Sequence, residues 1–266
     1  MKINNVTLVY FSPTNTTKAV VESVARGMGA QSVDAVDITR PDARKDGLSV
    51  QDTDLVVVGV PVYMGRVPGL LEEWFAAFQV AGCPVVCVVV YGNRVYDDAL
   101  LELKNFVTNA GGVAVAGGAF IGEHSFSSEE LPVAHGRPDS NDVDGAEAFG
   151  QKVKEKLESY ASLSGMDELS VPGEVPYRGE TALWDVDFIA VNSECTECGV
   201  CTELCPTGAI DPQNSAQVDV VKCILCCSCI KNCPYGCRSM KDGLVKDASV
   251  RLNTLFHEPR QPEWFL

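Results

Sequence analysis

Eight of the twelve cysteines in this 266-residue chain form two runs with the same spacing, Cys-x2-Cys-x2-Cys-x3-Cys-Pro. Thiolates at this spacing ligate [4Fe–4S] clusters, and the fourth cysteine of each run serves the other cluster. Three cysteines two residues apart wrap a loop around one cluster, and the proline then turns the chain away. The sequence therefore predicts two clusters, the first held by Cys195, Cys198, Cys201 and Cys233 and the second by Cys205, Cys223, Cys226 and Cys229.

Zinc is the alternative metal for these runs, and four further cysteines lie outside their spacing. Structural zinc also binds Cys-x2-Cys pairs, but a zinc site takes four ligands and has no use for a doubled run. Cys227 and Cys237 lie inside the region but outside the spacing, so we expect buried free thiols there. Cys83 and Cys87 flank a predicted strand and are expected to be small core residues.

A hydroxyl-rich segment follows the first predicted strand and leads directly into a helix. It reads Ser12-Pro13-Thr14-Asn15-Thr16-Thr17-Lys18. Hydroxyls and backbone amides at a helix N-terminus form a ready site for an anion. The chain has neither the GxxxxGK[ST] loop of nucleoside triphosphatases nor a GxGxxG turn after a strand. We therefore expect a phosphate site here, with simple capping of the helix by Ser12 or Thr14 as the alternative.

The elements that position these residues alternate between β-branched runs and amphipathic stretches through residues 1–164. This alternation predicts a doubly wound α/β domain with a parallel sheet. The predicted strands are Val6–Phe11, Ser32–Ile38, Asp54–Val60, Pro84–Tyr91 and Val113–Ile121. The predicted helices are Thr16–Met28, Val67–Gln79, Asp97–Asn109 and Asp142–Leu163.

Three further segments complete the predicted organisation. Residues 165–182 contain prolines and glycines without a clear period, which is typical of a linker. The cysteine-rich module occupies residues 183–240, and residues 241–266 form a C-terminal tail whose aromatic side chains we expect to pack back on the protein. Gly122–Asn141 is a long loop without a predicted element, and such loops are usually functional or mobile.

The cysteine module resembles a two-cluster bacterial ferredoxin, and the hydroxyl-rich segment resembles the phosphate loop of flavodoxins. The second resemblance implies that FMN phosphate is bound by Ser12, Thr14, Asn15, Thr16 and Thr17. It also implies that the loops after the third and fourth strands hold the isoalloxazine ring, with Tyr63 and Tyr96 as candidates for stacking on it. The residues in these loops are Pro61, Val62, Tyr63, Met64, Gly65, Tyr91, Gly92, Asn93, Arg94, Tyr96 and Asp98.

Further motifs extend the resemblance over nearly the whole chain. The run YGNRxYDDAL begins at Tyr91, and Glu123-His124-Ser125 and Gly136-Arg137-Pro138-Asp139 follow it. Together with the phosphate loop they resemble the EFR-type proteins, which fuse an N-terminal flavodoxin-like domain to a C-terminal two-cluster ferredoxin. The resemblance implies a five-stranded parallel sheet of the flavodoxin type, FMN and two [4Fe–4S] clusters. It also places Glu123–Ser127, which include His124, near the flavin edge.

Composition and charge restrict the partners. Lys and Arg number 21 against 36 Asp and Glu, so the formal net charge is −15. Such a chain repels nucleic acid and anionic membranes and favours redox partners with basic faces. No apolar run is long enough for a membrane span, the N-terminus does not resemble a signal peptide, and a cytoplasmic location is expected. The sequence leaves open whether two copies form a homodimer.

Three functions are compatible with these observations. The first is an electron-transfer flavo-ferredoxin that passes electrons between the clusters and FMN and on to redox partners. The second is a flavin-dependent reductase whose clusters feed a flavin that reduces a bound substrate. The third is a flavin-free scaffold that docks a ferredoxin, suggested by Asn15 at a position where flavodoxins usually have glycine. Of the three functions, we expect the electron-transfer flavo-ferredoxin, and no catalytic residue is predicted.

Overall fold

The computed structural model describes residues 1–51 and 53–266, and its first domain is built on a central sheet. Five strands of this sheet run parallel in the order β2-β1-β3-β4-β5. They are β1 (Asn5–Tyr10), β2 (Ser32–Asp37), β3 (Leu55–Pro61), β4 (Pro84–Tyr91) and β5 (Val113–Ile121). The predicted five-stranded flavodoxin-like parallel sheet is confirmed.

Helices cover both faces of this sheet. They are α1 (Thr16–Met28), α2 (Glu72–Ala77), α3 (Ala99–Asn109) and α4 (Ser140–Ser159). Helices α1 and α4 share one apolar core with the sheet, and α2 and α3 share the other. Every residue of β3 is buried because the strand lies at the centre of the sheet and is covered on both faces.

The helix predicted over Val67–Gln79 is shorter in the structure. A 3₁₀ turn over Gly69–Leu71 comes first, and α2 spans only Glu72–Ala77. Pro68 and Gly69 account for the late start, because a proline disfavours the helical conformation at the residue before it and glycine is a poor helix former. Helix α4 begins slightly earlier than predicted because Asp139 caps it and forms a capping box with Asp142.

The cysteine-rich part is a small second domain with little regular structure. It contains the antiparallel pair β6 (Ile189–Val191) and β7 (Arg238–Met240) and the short helices α5 (Val200–Leu204) and α6 (Ser228–Lys231). Its apolar core consists of a few residues around the cysteines, among them Phe188, Ile189 and Val245. A core of this size implies that something besides apolar burial stabilises the domain.

The C-terminal segment returns to the first domain. After helix α7 (Leu244–Leu255), strand β8 (Glu263–Phe265) pairs antiparallel with β5 and becomes the sixth strand of the sheet. The Trp264 ring lies 5.8 Å from that of Phe149 on α4. Within the ranges the structure describes, no helix combines the length and the apolarity required to cross a lipid bilayer.

Several polar contacts fasten the second domain and α7 to the first domain, and three of them involve the loops that follow β1 and β5. The buried Ser228 hydroxyl donates to the Pro13 carbonyl over 2.6 Å, inside the hydroxyl-rich segment. The Lys231 ammonium pairs with the Glu123 carboxylate at 2.5 Å. The Ser249 hydroxyl of α7 donates to a backbone carbonyl of the Gly122–Asn141 loop over 2.8 Å. The two domains therefore meet where β1 and β5 end.

Candidate functional site

A cavity of about 340 Å³ lies at the carboxyl ends of β1, β3, β4 and β5. Ligands bind at this edge of open α/β sheets, because the loops after the strands leave a crevice there. Ten of the sixteen residues predicted to bind the flavin line the cavity: Thr14, Thr16, Pro61, Val62, Tyr63, Met64, Gly65, Tyr91, Gly92 and Arg94. The other six, which do not line it, are Ser12, Asn15, Thr17, Asn93, Tyr96 and Asp98.

Three of these six shape the hydroxyl-rich segment itself. Asn15 is the N-cap of α1 and has φ 65°, a left-handed conformation that asparagine tolerates better than most residues. The Ser12 hydroxyl accepts the backbone N–H of Lys18 at 3.0 Å, which closes the turn. The Thr17 hydroxyl is fully buried and has no hydrogen-bond partner among the described residues.

The other three hold the linker and the tail. The Asn93 side chain donates to backbone carbonyls of the segment after α7, and the Tyr96 hydroxyl donates to the Glu263 carboxylate over 2.8 Å. Asp98 is buried and forms an ion pair with Arg178 of the linker. The hydrogen bonds from that guanidinium lower the pKa of Asp98 to about 2. Tyr96 therefore lies in the core, and Tyr63 is the stacking candidate that faces the cavity.

His124 lines the cavity as a neutral side chain. Its Nδ1 accepts the backbone N–H of Phe126 at 3.0 Å, which leaves the proton on Nε2. Burial lowers the pKa of His124 to about 4, and the positive charges of Lys231 and Arg94 act in the same direction. A Cβ at Gly92 would lie 2.4 Å from the His124 ring, so only glycine fits beside it. The histidine can offer a hydrogen-bond donor to a ligand.

The far wall of the cavity comes from outside the first domain. Leu183 and Trp184 precede the cysteine runs, and Ile224 and Leu225 lie between two cysteines of the second run. Helix α7 and the residue after it supply Ala248, Arg251, Leu252 and Phe256. Sequence reasoning missed these eight residues, since no local pattern shows which surface of one domain covers the other.

The cysteines line two smaller cavities in the second domain, each of about 20 Å³. Each cavity brings together three cysteines of one run and the fourth of the other. We name these groups by their residues. The first set is Cys195, Cys198, Cys201 and Cys233. The second set is Cys205, Cys223, Cys226 and Cys229.

The two runs adopt the same backbone turns. Glu197 and Leu225, each just before the second cysteine of its run, both have positive φ, at 51° and 55°. Gly199 and Cys227, each just after that cysteine, are also left-handed, at 78° and 56°. Cys227 is buried, as expected for a free thiol, and it occupies the place that glycine takes in the first run.

Backbone amides point at the sulfurs in both cavities. The N–H of Ala209 donates to the Cys205 sulfur and that of Cys237 to the Cys233 sulfur, each over 3.3 Å. Burial acts to raise the pKa of Cys233, but the backbone N–H donors of Tyr235, Cys237 and Arg238 outweigh it, so the pKa is lowered. Burial raises the pKa of Cys229 to about 11, so its thiol is neutral until a metal displaces the proton.

The donor sets fit the groups that the sequence implies. In the described ranges no three His, Cys, Asp or Glu side chains lie close enough to hold a single metal ion, whereas a cuboidal cluster needs thiolates spaced further apart. The four thiols of each set and the amide donors suit such a cluster, and a fifth thiol also lines each cavity, Cys237 beside the first set and Cys227 beside the second. The larger cavity offers the Thr14 and Thr16 hydroxyls and the N-terminus of α1 for a phosphate, and the Tyr63 ring for stacking. The unpartnered Thr17 hydroxyl is buried in the same turn, outside the cavity lining.

Comparison with known protein families gives two matches. The family model described as a flavodoxin domain matches residues 7–94. The family model described as a 4Fe-4S binding domain matches residues 189–211, which include the first cysteine run. These domains imply a flavin and an iron–sulfur cluster as their cofactors.

Individual relatives match parts of the chain. The thiosulfate reductase electron transfer subunit PhsB of Salmonella typhi is 33% identical over 76 residues, 28% of this chain and 40% of that protein. An iron-sulfur protein of Rhodospirillum rubrum is 30% identical over 88 residues, 32% of this chain and 46% of that protein. The chain thus spans less than half the length of these curated relatives.

Solved flavodoxins resemble the first domain more distantly. Flavodoxin 2 from Bacillus cereus has a TM-score of 0.43 at 15% identity and covers 57% of this chain and 99% of its own. A flavodoxin from the domain Archaea has a TM-score of 0.41, also at 15% identity, over 58% of this chain and 99% of its own. The sheet order and the two family matches show a flavodoxin domain followed in the same chain by a 4Fe–4S binding motif, which is consistent with a flavodoxin–ferredoxin fusion.

Proposed function

We propose that this chain is an electron carrier that binds FMN and two [4Fe–4S] clusters and passes electrons between them and on to redox partners. One observation carries the proposal: Ile224 lines both the large cavity and the cavity of the second cysteine set. A single residue of the cluster-binding loop therefore separates the two sites. When bound, FMN accepts one or two electrons and each cluster exchanges one, so the pair can split or merge electron pairs.

The thiols of the second set are the ligands nearer the flavin cavity. Ile224 and Leu225, which line that cavity, lie between Cys223 and Cys226 in the chain. The first set lines a separate cavity that shares no residue with the large one. We infer that electrons enter or leave the flavin through the cluster of the second set, and that the cluster of the first set is the one farther from the flavin.

The flavin would be held mainly by the first domain. Thr14 and Thr16 at the start of α1 would bind the phosphate, and Lys18, the basic residue of the hydroxyl-rich segment, does not line the cavity. The loops that contain Tyr63 and Gly92 would hold the ring, and the neutral His124 would donate a hydrogen bond from Nε2. The left-handed Asn15 removes the objection that this loop lacks its glycine, which favours a flavin carrier over a flavin-free scaffold.

The size of the cavity favours a carrier over a reductase. At about 340 Å³ it lies at the low end of the range for ligand sites, which is about 300–1,000 Å³. The second domain and α7 form its far wall, which leaves little room for a substrate beside the flavin. The relatives named as an electron transfer subunit and an iron-sulfur protein agree with this choice. The net charge of −15 suits partners with basic faces.

Cofactor content tests the proposal directly. The chain is purified without oxygen, and iron, acid-labile sulfide and FMN are measured per polypeptide. We expect about eight irons and eight sulfides, from two four-iron clusters, and one FMN. Zinc in place of iron would refute the clusters, and eight irons without flavin would leave a ferredoxin on an inert scaffold.

Stopped-flow reduction by dithionite then tests the order of transfer. Cys226→Ser, in the second set, should slow bleaching of the flavin absorbance more than Cys198→Ser in the first set. Iron content is measured for both variants, so that the flavin rates are compared between preparations that have each lost one cluster. Equal slowing by the two variants would contradict the proposed order.

A further inference from the structure

The Arg238 side chain is buried, with 4% of its surface exposed, and lines the cavity of the first cysteine set. Its Nη1 donates to the Ser215 carbonyl over 2.8 Å and lies 3.5 Å from the Cys201 sulfur of the first set. Its Nε and Nη2 are buried and have no hydrogen-bond partner among the described residues. These partners include no carboxylate, so the positive charge is not neutralised by a protein anion in contact with it.

The guanidinium belongs to the cavity of the first set. Arg238 lines that cavity together with Cys195, Cys198, Cys201 and Cys233, and it does not line the cavity of the second set.

The first cysteine run shows that the fold does not require a charged residue at this position. Cys205-Pro206-Thr207-Gly208-Ala209-Ile210 corresponds to Cys233-Pro234-Tyr235-Gly236-Cys237-Arg238. The two segments share the 3.3 Å N–H to sulfur hydrogen bond, and Ile210 is as buried as Arg238, with 3% of its surface exposed. Isoleucine thus fits the fold at the equivalent place. A buried, unpaired guanidinium is costly, so something absent from the protein chain must compensate it.

We propose that Arg238 is a buried cation beside the cluster of the first set and raises its reduction potential, an inference that rests on the proposed function. A cluster held by four thiolates is negatively charged and gains one more negative charge when it takes up an electron. A buried cation stabilises that added charge strongly, because water does not screen it. The two unpartnered N–H groups would donate to cluster sulfur. Reduction transfers one electron from the redox partner, and Arg238 keeps its proton throughout.

Three substitutions separate charge from packing. Arg238→Ile installs the residue that the first run carries, Arg238→Gln keeps donors but removes the charge, and Arg238→Lys keeps the charge. Each full-length variant is purified without oxygen, assayed for iron and sulfide, and titrated with dithionite while the reduced clusters are followed by electron paramagnetic resonance. Lys222→Gln is the matched control, since it removes an exposed charge next to Cys223.

We expect iron-loaded Arg238→Ile and Arg238→Gln to be reduced at more negative potentials than the wild type, with Arg238→Lys closest to wild type and Lys222→Gln unchanged. If Arg238→Ile does not retain iron, the comparison of Gln with Lys decides. Unchanged potentials in the iron-loaded Ile or Gln variant would overturn the role of Arg238 and leave the carrier intact. Absence of iron from the wild type would instead overturn the proposed function.

Discussion

Replacing Ser228 with alanine should loosen the contact between the two domains at its most direct point. The Ser228 hydroxyl, with 1% of the residue exposed, donates to the buried Pro13 carbonyl over 2.6 Å. The change leaves that carbonyl without its donor, which costs about 1–3 kcal/mol for a buried group. If the whole cost falls on domain docking, the open form becomes about 5- to 150-fold more populated.

Hydrogen exchange followed by mass spectrometry measures this opening. Peptides that cover residues 12–18 and 223–231 should exchange faster in Ser228→Ala by that factor, because their amides are protected by docking. Ser23→Ala is the matched control. Ser23 is equally buried and donates to the Ala19 carbonyl over 2.7 Å, but within helix α1. The control should leave exchange in the cluster-binding loop unchanged.

The reasoning fails if Ser228→Ala exchanges like the wild type at both segments. Water would then satisfy the Pro13 carbonyl, and the hydroxyl would contribute nothing to docking. It also fails if Ser23→Ala accelerates the cluster loop as much, because the effect would then be a general loss of stability.

Three further predictions concern single residues. Cys227→Gly should keep the iron content of the wild type, since glycine suits the left-handed backbone, whereas Cys226→Ser should lose iron. Gly92→Ala places a Cβ 2.4 Å from the His124 ring and should weaken FMN binding about tenfold or more in a fluorescence titration. Asp98→Asn should reduce stability to urea by about 1–2 kcal/mol at pH 7, because the ion pair lowers the Asp98 pKa to about 2. That loss should vanish as the pH falls from about 4 through about 2, where the wild-type carboxylate is itself protonated.

Sequence patterns predicted the parts of the fold that depend on local chemistry. The strands around Val57 and Val88 are continuously apolar, and both lie at the buried centre of the sheet. The spacing of the cysteines predicted which three of each run would share a cavity, because a short covalent loop determines which side chains can meet, and the known pattern of two-cluster sites supplied the fourth from the other run. That these cysteines ligate clusters stays a prediction.

Features that depend on docking could not be predicted. Trp184 and Ile224 line the large cavity only because the second domain packs against the first, and no periodicity marks that surface. The family resemblance suggested Tyr96 as a ring-stacking residue, but its hydroxyl donates a hydrogen bond to Glu263 of β8. Arg238 gave no signal as a single residue, and only the comparison of the two runs in three dimensions shows that it replaces an apolar side chain.

Strand β8 has a consequence for how the chain is made. It pairs Phe265 with Gly117, so residues that are synthesised after both cysteine runs complete the edge of a sheet whose other strands are synthesised earlier. The segment between them contains every cysteine of both sets. Bringing β8 to β5 costs less conformational entropy once the second domain is compact, and before that the edge of β5 is open to pairing with other chains. Folding of the iron–sulfur domain would thus favour completion of the sheet in the first domain.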